Sequence, residues 1–225
     1  LFRSETIVTD GTWKWSNDGA LRFADLKDGE VYDANKTPSY SGRAMEVAPP
    51  KAAITASDNV NVSEHERFTG HKINDRVYDF AQNIAGYLSL TVKGKQGDKV
   101  KIVCGETLDE NGNFTQDNFA PGERNKNGGV PQRIEYICKD GFNRYKPTFT
   151  LFGFRYAKIE TDVNLNGAQF TAIAVYSHMP QTAFFTCGNE AVNQLFRNAM
   201  WSEKSNFVDI PTDCPQRERS GWTGD

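Results

Sequence analysis

Gly86-Tyr87-Leu88-Ser89-Leu90-Thr91-Val92 alternates along its whole length. In an extended chain Leu88, Leu90 and Val92 fall on one face and Tyr87, Ser89 and Thr91 on the other, the pattern of a half-buried strand. A Gly-Lys-Gln-Gly-Asp break leads into Lys99 to Cys104 (KVKIVC), where Val100, Ile102 and Cys104 alternate with lysines. The two segments predict an antiparallel hairpin with Leu88, Leu90, Val100 and Ile102 inward, because any other register would bury lysine. Arg133 to Cys138 (RIEYIC) follows the same rule, and Phe149 to Leu151, Arg155 to Glu160 and Phe170 to Val175 are again short and alternating. Evenly spaced short strands predict a mainly β chain folded as an antiparallel β-sandwich.

Two segments read as connections. Thr107 to Gln132 is polar and rich in Asn and Gly, and a loop of that length is a functional or mobile one. Val47 to Asn61, with Pro49 and Pro50, reads as a linker after a short N-terminal β segment. The character changes after Pro180. From Asn189 to Asn206 the residues Val192, Leu195, Phe196, Ala199 and Met200 recur at three- and four-residue steps, which predicts one amphipathic helix with Asn189 as N-cap and Glu190 in the first turn. Pro211 and Pro215 prevent its continuation. The chain is thus expected to divide into 1–50, the C-terminal remnant of an N-terminal β domain; 51–180, a β-sandwich domain; and 181–225, the opening of a helical domain whose first helix has an apolar stripe in need of a partner.

Composition narrows the function. The 225 residues are 38% apolar and 24% charged, with a net charge of -3, so there is no basic surplus to neutralise a phosphate backbone. No run approaches the ~18 apolar residues of a membrane span. The chain starts at Leu1 with no charged-then-apolar leader, so localisation cannot be read from its start. Cys104, Cys138, Cys187 and Cys214 are widely spaced, and His65, His71 and His178 are not at ligand spacing, so thiols are expected free or buried and no metal site is expected.

The densest chemistry is Pro211 to Asp225, PTDCPQRERSGWTGD. Asp213, Glu218 and Asp225 alternate with Arg217, Arg219 and Trp222 in a Pro- and Gly-rich loop. Carboxylates can transfer protons and bind hydroxyls, and an indole can stack on the C–H face of a sugar. Elsewhere, Asp79, Gln82 and Asn83 could form a polar site but more readily tie down their own turn. Trp13 and Trp15, two apart, could form a sugar platform but more readily pack at an edge.

The final loop resembles the signature of the bacterial α-L-rhamnosidases, glycoside hydrolase family 78, whose common form has Leu where this chain has Ser220. Upstream, Val77 to Leu90 (VYDFAQNIAGYLSL) is similar to that family's Asp-Phe-Gly-Gln-Asn-x-x-Gly stretch, through Asp79, Phe80, Gln82, Asn83 and Gly86, with Ala81 in place of the glycine. Glu106-Thr107-Leu108-Asp109, Phe152-Gly153-Phe154-Arg155-Tyr156 and Asp28 to Asn35 (DGEVYDAN) resemble further landmarks, so the likeness runs from about residue 20 to residue 225. At Ser220 and Ala81 a tolerated packing variation is expected.

The resemblance implies β-sandwich modules followed by an (α/α)6 barrel, here represented by its first helix and acid loop. It implies cleavage of terminal α-L-rhamnose from glycosides or polysaccharides with inversion and without a cofactor, and a secreted or periplasmic rather than a cytoplasmic setting. On that basis Glu218 is the general acid, Asp213 and Asp225 bind rhamnose hydroxyls, Arg217 supports the site and Trp222 stacks on the sugar. The water-activating glutamate is expected downstream of Asp225, so this chain alone is expected to be inactive. To serve as the acid, Glu218 must hold a proton between Arg217 and Arg219, which requires neighbouring carboxylates or burial. The alternatives are a non-catalytic carbohydrate-binding sandwich, which has no use for PTDCPQRER at the end of an amphipathic helix, and a structural linker domain, which the first 180 residues taken alone could be.

Overall fold

A computed structural model describes residues 4–57, 60–119 and 132–222. Asp225, and the part of the long polar loop at 120–131, lie outside the described residues. In chain order the strands are β1 (Lys14–Trp15), β2 (Leu21–Asp25), β3 (Gly29–Asp33), β4 (Gly42–Arg43), β5 (Val62–Thr69), β6 (His71–Lys72), β7 (Val77–Gly94) and β8 (Lys99–Gly105). They continue as β9 (Thr107–Leu108), β10 (Phe114–Thr115), β11 (Arg133–Ile137), β12 (Gly141–Tyr145), β13 (Phe152–Thr161) and β14 (Gln169–Ser177). Helix α1 (Glu190–Asn206) follows, then β15 (Phe207–Val208) and β16 (Ile210–Pro211).

The main sheet has ten strands and runs β2-β3-β11-β8-β13-β7-β14-β5, with β6 and β12 also on β7. It curls because β7 belongs to two layers. Its first half pairs with β13 and β6, and its second half pairs with β14 and β12. The crossing falls at Gly86, paired to Phe152 on one side and Ala174 on the other; a Cβ there would lie 1.9 Å from the Ile173 carbonyl oxygen. Only glycine permits that approach. The layers close on each other where Tyr145 of β12 meets Tyr136 of β11 and Tyr32 of β3, with ring centroids 5.1 and 4.8 Å apart.

Leu88, Leu90, Val100 and Ile102 all face this core, as their alternation requires. They do so by a different route from the expected hairpin. β7 and β8 are not paired: β8 runs between β11 and β13, and the turn at 94–98 carries the chain from one layer to the other. Both strands alternate because each turns one side to a shared interior, and that signal is the same whether two strands are neighbours in a layer or face each other across it. The sheet is antiparallel except for β3 beside β11, which run parallel. Phe149 to Leu151 is not a strand; pairing begins at Phe152, and Phe149 is exposed.

β2 and β3 are hydrogen-bonded into the main sheet, so residues on both sides of position 50 share it. Glu30 on β3 is buried and accepts hydrogen bonds from the Tyr145 hydroxyl and from the Thr148 (2.8 Å) and Phe149 amides. That set satisfies a charge that would be costly to bury alone. Trp15 stands over Gly42 of the partnering β4, and Trp13 donates to the Val8 carbonyl at 2.8 Å; both rings are half-exposed.

α1 begins as its sequence dictates, with Asn189 Oδ1 accepting from the Ala191 amide at 3.0 Å. Its contacts with the sheet come from its last turns. Trp201 meets Phe68 edge-on at 5.7 Å, Ser205 Oγ accepts from the Ala85 amide at 3.2 Å, and Lys204 pairs with Glu66 at 2.7 Å beneath the Trp201 ring. The stripe picked out by periodicity is not what docks: Leu195 is 66% and Val192 39% exposed, and Phe196 meets Phe185 of the preceding segment. Among the described residues no helix is long and apolar enough to cross a membrane.

Candidate functional site

The stretch Asp79 to Asn83 interrupts β7. On β13, Phe154 pairs with Ile84 and Tyr156 with Asp79, so Arg155 alone stands opposite four residues, Phe80 to Asn83, which loop out as a wide bulge. Asp79 ties the bulge down. Its carboxylate takes the fork of Arg155 at 2.9 and 2.8 Å and accepts the Ala81 amide at 2.7 Å. The Arg155 hydrogen bonds hold the Asp79 carboxyl below its ordinary range against the opposing effect of burial. Ala81 sits at φ 65°, in the left-handed region that glycine favours. The alanine is therefore a backbone compromise rather than the expected packing variation, since its side chain is exposed.

The bulge pushes Gln82 and Asn83 outward into a polar cleft of about 420 Å³ that the sandwich shares with α1 and the following loop. Asn83 and Asn118 each donate to one oxygen of Glu106, at 2.9 and 2.7 Å, forming the sandwich wall. Asn198, Trp201 and Ser202 form the helical wall, and Asp213, Cys214 and Gln216 complete the lining.

The loop from Pro211 to Trp222 is closed on itself. Trp222 donates its amide to the Pro211 carbonyl at 2.9 Å, Thr212 bridges Gly221, and Asp213 accepts the Ser220 amide at 2.9 Å while its own amide donates to the Ser220 carbonyl. Within it the Asp213 carboxylate, the Cys214 sulfur and the Glu218 carboxylate come within 4.8 Å of one another. The Cys214 thiol donates to Glu218 at 3.1 Å, and Arg217 Nε stands 3.4 Å from the same oxygen. Burial pushes the Asp213 carboxyl up, but the amides of Ser220, Cys214 and Asp213 outweigh it and leave the group below its ordinary range. Ser220 makes its contact to Asp213 through the backbone, so that contact does not depend on which side chain stands at position 220.

Of the site residues expected from sequence, Asp213, Arg217 and Glu218 are brought together, and Trp222 offers an indole that is 56% exposed. Asp225 lies outside the described residues. Sequence reading missed the sandwich side of the cleft. The sequence offers Asp79, Gln82 and Asn83 as a polar site but favours a tied turn, and both hold, Asp79 tying the turn while Gln82 and Asn83 line the cleft; Glu106 enters the sequence reading only as a landmark of a resemblance, and the wall arises from a bulge that no alternation pattern marks. By sequence Arg219 is only a charge beside Glu218; in the fold its guanidinium reaches the sandwich, donating to the Leu26 carbonyl at 2.7 Å and to that of Leu151. Asp213, Cys214 and Glu218 mix hard and soft donors and are each engaged in hydrogen bonds of the loop. The free thiols Cys104, Cys138 and Cys214 are buried, and Cys187 is exposed.

The described residues thus form a two-layer sandwich joined to a helix whose following loop sets Asp213 on the polar cleft with Glu218 beside it. Residues 71–176 match the bacterial alpha-L-rhamnosidase concanavalin-like domain and residues 180–225 the bacterial alpha-L-rhamnosidase 6 hairpin glycosidase domain. The chain belongs to the bacterial α-L-rhamnosidase family. It is 32% identical to an alpha-L-rhamnosidase of Formosa agariphila over 98% of its own length and 25% of that protein's. Among solved structures it resembles the native alpha-L-rhamnosidase of Aspergillus terreus, with TM-score 0.82 and 30% identity over 97% of this chain and 26% of that one. It also resembles the Streptomyces avermitilis alpha-L-rhamnosidase complexed with L-rhamnose, with TM-score 0.77 and 27% identity over 92% and 21%. The chain spans about a quarter of the length of the curated relatives it matches.

Proposed function

We propose that this chain supplies the supporting sandwich and the acid loop of an inverting glycoside hydrolase that removes terminal α-L-rhamnose from glycosides or polysaccharides, without a cofactor. In this reading 181–225 opens the (α/α)6 catalytic barrel, 51–180 is the sandwich that carries it, and β2 and β3 extend that sandwich upstream. The observation that carries the reading is the closed loop that holds Glu218 within 4.8 Å of Asp213, which itself lines the polar cleft.

Glu218 gives its proton to the glycosidic oxygen as the bond from that oxygen to the anomeric carbon breaks, so the leaving group departs as a neutral alcohol. Asp213, kept ionised, accepts hydrogen bonds from sugar hydroxyls, with Asp225 in the same role, while Arg217 steadies Glu218 and Trp222 stacks on the ring. Inversion requires water to attack the opposite face, activated by a carboxylate ~6.5–9.5 Å from the acid. Asp213 is closer to Glu218 than that spacing, so it is a binding group and the base is a residue outside this set.

The test is Glu218→Gln in a polypeptide of the relatives' full length. The amide keeps the shape but has no proton to give, and a general acid contributes ~10²–10⁴-fold. The expected result is a loss of that size in kcat on an alkyl or sugar-linked rhamnoside and a much smaller loss on a dinitrophenyl rhamnoside, whose leaving group needs no protonation. Equal losses on both would remove Glu218 from the acid role. Binding of rhamnose without turnover by the unsubstituted protein would favour a carbohydrate-binding sandwich.

A further inference from the structure

The acid loop rests directly on the sandwich, at a point where the sandwich has no side chain. Gly153 on β13 lies under it, and a Cβ at that position would come 2.8 Å from the Gln216 amide nitrogen and 2.8 Å from the Pro215 carbonyl carbon. Both are backbone atoms, so the loop could not yield by turning a rotamer. Next to this seat is a buried polar node. Gln132, fully buried at the start of the strand leading into β11, accepts the Gly153 amide at 2.8 Å and donates to the Gly153 and Cys104 carbonyls at 2.9 and 3.1 Å. Arg219 enters the same node from the loop. Its guanidinium donates to the carbonyls of Leu26 (2.7 Å), Leu151, Lys27 (3.3 Å) and Gln216 (3.2 Å) and to Gln132 Oε1 (3.2 Å).

Arg219 also sits at φ 50°, an unfavoured backbone for a non-glycine residue, one position after Glu218. Such a conformation persists only where the surroundings over-determine it. A planar fork with donors in fixed directions can satisfy several carbonyls at once, which a lysine could not. The side chain adjacent to the acid is thus committed to the sandwich, and the backbone that carries Glu218 is fixed at its next residue.

We propose that Arg219 is a positioning residue for the acid, clamping the Glu218 loop onto the Gly153 seat and the Gln132 node so that the sandwich sets where the proton is delivered. The catalytic half of this inference rests on the reading of Glu218 as general acid; the clamp itself does not. Two variants act on it from opposite sides, Arg219→Gln from the loop and Gly153→Ala from the sheet.

In this chain, amide hydrogen exchange should be at least ~10-fold faster at Ser220 and Trp222 in both variants and unchanged at Leu88 and Ile102, since a local opening leaves the core strands closed. Unchanged exchange in the loop would overturn the clamp. Should Gly153→Ala also speed exchange at Leu88 and Ile102, Arg219→Gln alone decides. In a polypeptide of the relatives' length, misplacing an acid by an ångström costs on the order of 10²-fold. Arg219→Gln is therefore expected to lower kcat by about that factor on a sugar-linked rhamnoside, with much less loss on a dinitrophenyl rhamnoside and KM little altered. Equal loss on both substrates, or a change confined to KM, would overturn the positioning role. Absence of rhamnoside turnover in the unsubstituted protein would overturn the reading of Glu218 instead, and exchange would still decide the clamp.

Discussion

Leu88 on β7 and Leu195 on α1 are equally well placed in the periodic patterns of their own segments, yet Leu88 is fully buried and Leu195 is 66% exposed. The sandwich encloses its apolar residues between two layers of one sheet. Among the described residues no second layer covers the helix and loop. They are fixed at points, by Trp201 on Phe68, Lys204 on Glu66, Ser205 on Ala85 and Arg219 on the carbonyls around Gln132. The first region is stabilised by area removed from water and the second by a few directional contacts, so the two should respond to different perturbations.

The comparison is tested most severely at Phe154, which is fully buried and meets Phe80 edge-on at 5.8 Å. Phe154→Ala should destabilise the chain by ~3–5 kcal/mol through lost transfer energy and the cavity left behind, measured by urea unfolding. A cost below ~1 kcal/mol would mean that the sandwich, too, is held at points.

Acidification should separate the two regions. Burial pushes the Glu66 carboxyl up, but the Lys204 ammonium and the Tyr176 hydroxyl outweigh it and leave the group below its ordinary range. A carboxyl depressed in the folded state adds stability above its unfolded value of about 4.3, and that stability is lost as pH falls through the folded value. Below about pH 4 the end of α1 is therefore expected to loosen, seen as a shift of the Trp201 indole resonance. In Glu66→Gln the resonance should already be shifted at neutral pH and should move no further on acidification. An identical acid shift in the variant would assign the transition to carboxylates of the sandwich, such as Asp79 and Glu64, which are also depressed.

The smallest effect belongs to the exposed stripe. Leu195→Ser should change the unfolding free energy of this chain by no more than ~0.5 kcal/mol, as for an ordinary surface substitution. A cost of ~2 kcal/mol or more in the same urea measurement would show Leu195 to be covered in solution.

The alternation at Gly86 to Val92 and Lys99 to Cys104 was enough to assign strands and to choose their inward faces, because a period of two leaves one register that keeps lysine out of the core. The helix from Glu190 to Asn206 and its Asn189 cap followed from equally local rules. Within Pro211 to Asp225 the grouping of Asp213, Arg217 and Glu218 is legible from the sequence, because these residues lie within one short loop and their proximity is a matter of chain connectivity.

What the tertiary structure decided is everything that depends on a second segment. Whether β7 and β8 pair or face each other, whether Leu195 is covered, and why the bulge at Ala81 sets Asn83 in the polar cleft beside Glu106 all turn on partners distant in the chain. Arg219 is the clearest case. Its sequence neighbours are Glu218 and Ser220, which make it one more charge in a solvated loop, while its hydrogen-bond partners include Leu26, Gln132 and Leu151. Local sequence fixes backbone preference and the side of a strand or helix on which a residue falls, since those arise from sterics and periodicity within a few residues. The direction of a guanidinium fork is set by carbonyls that come into reach only after the sandwich has closed.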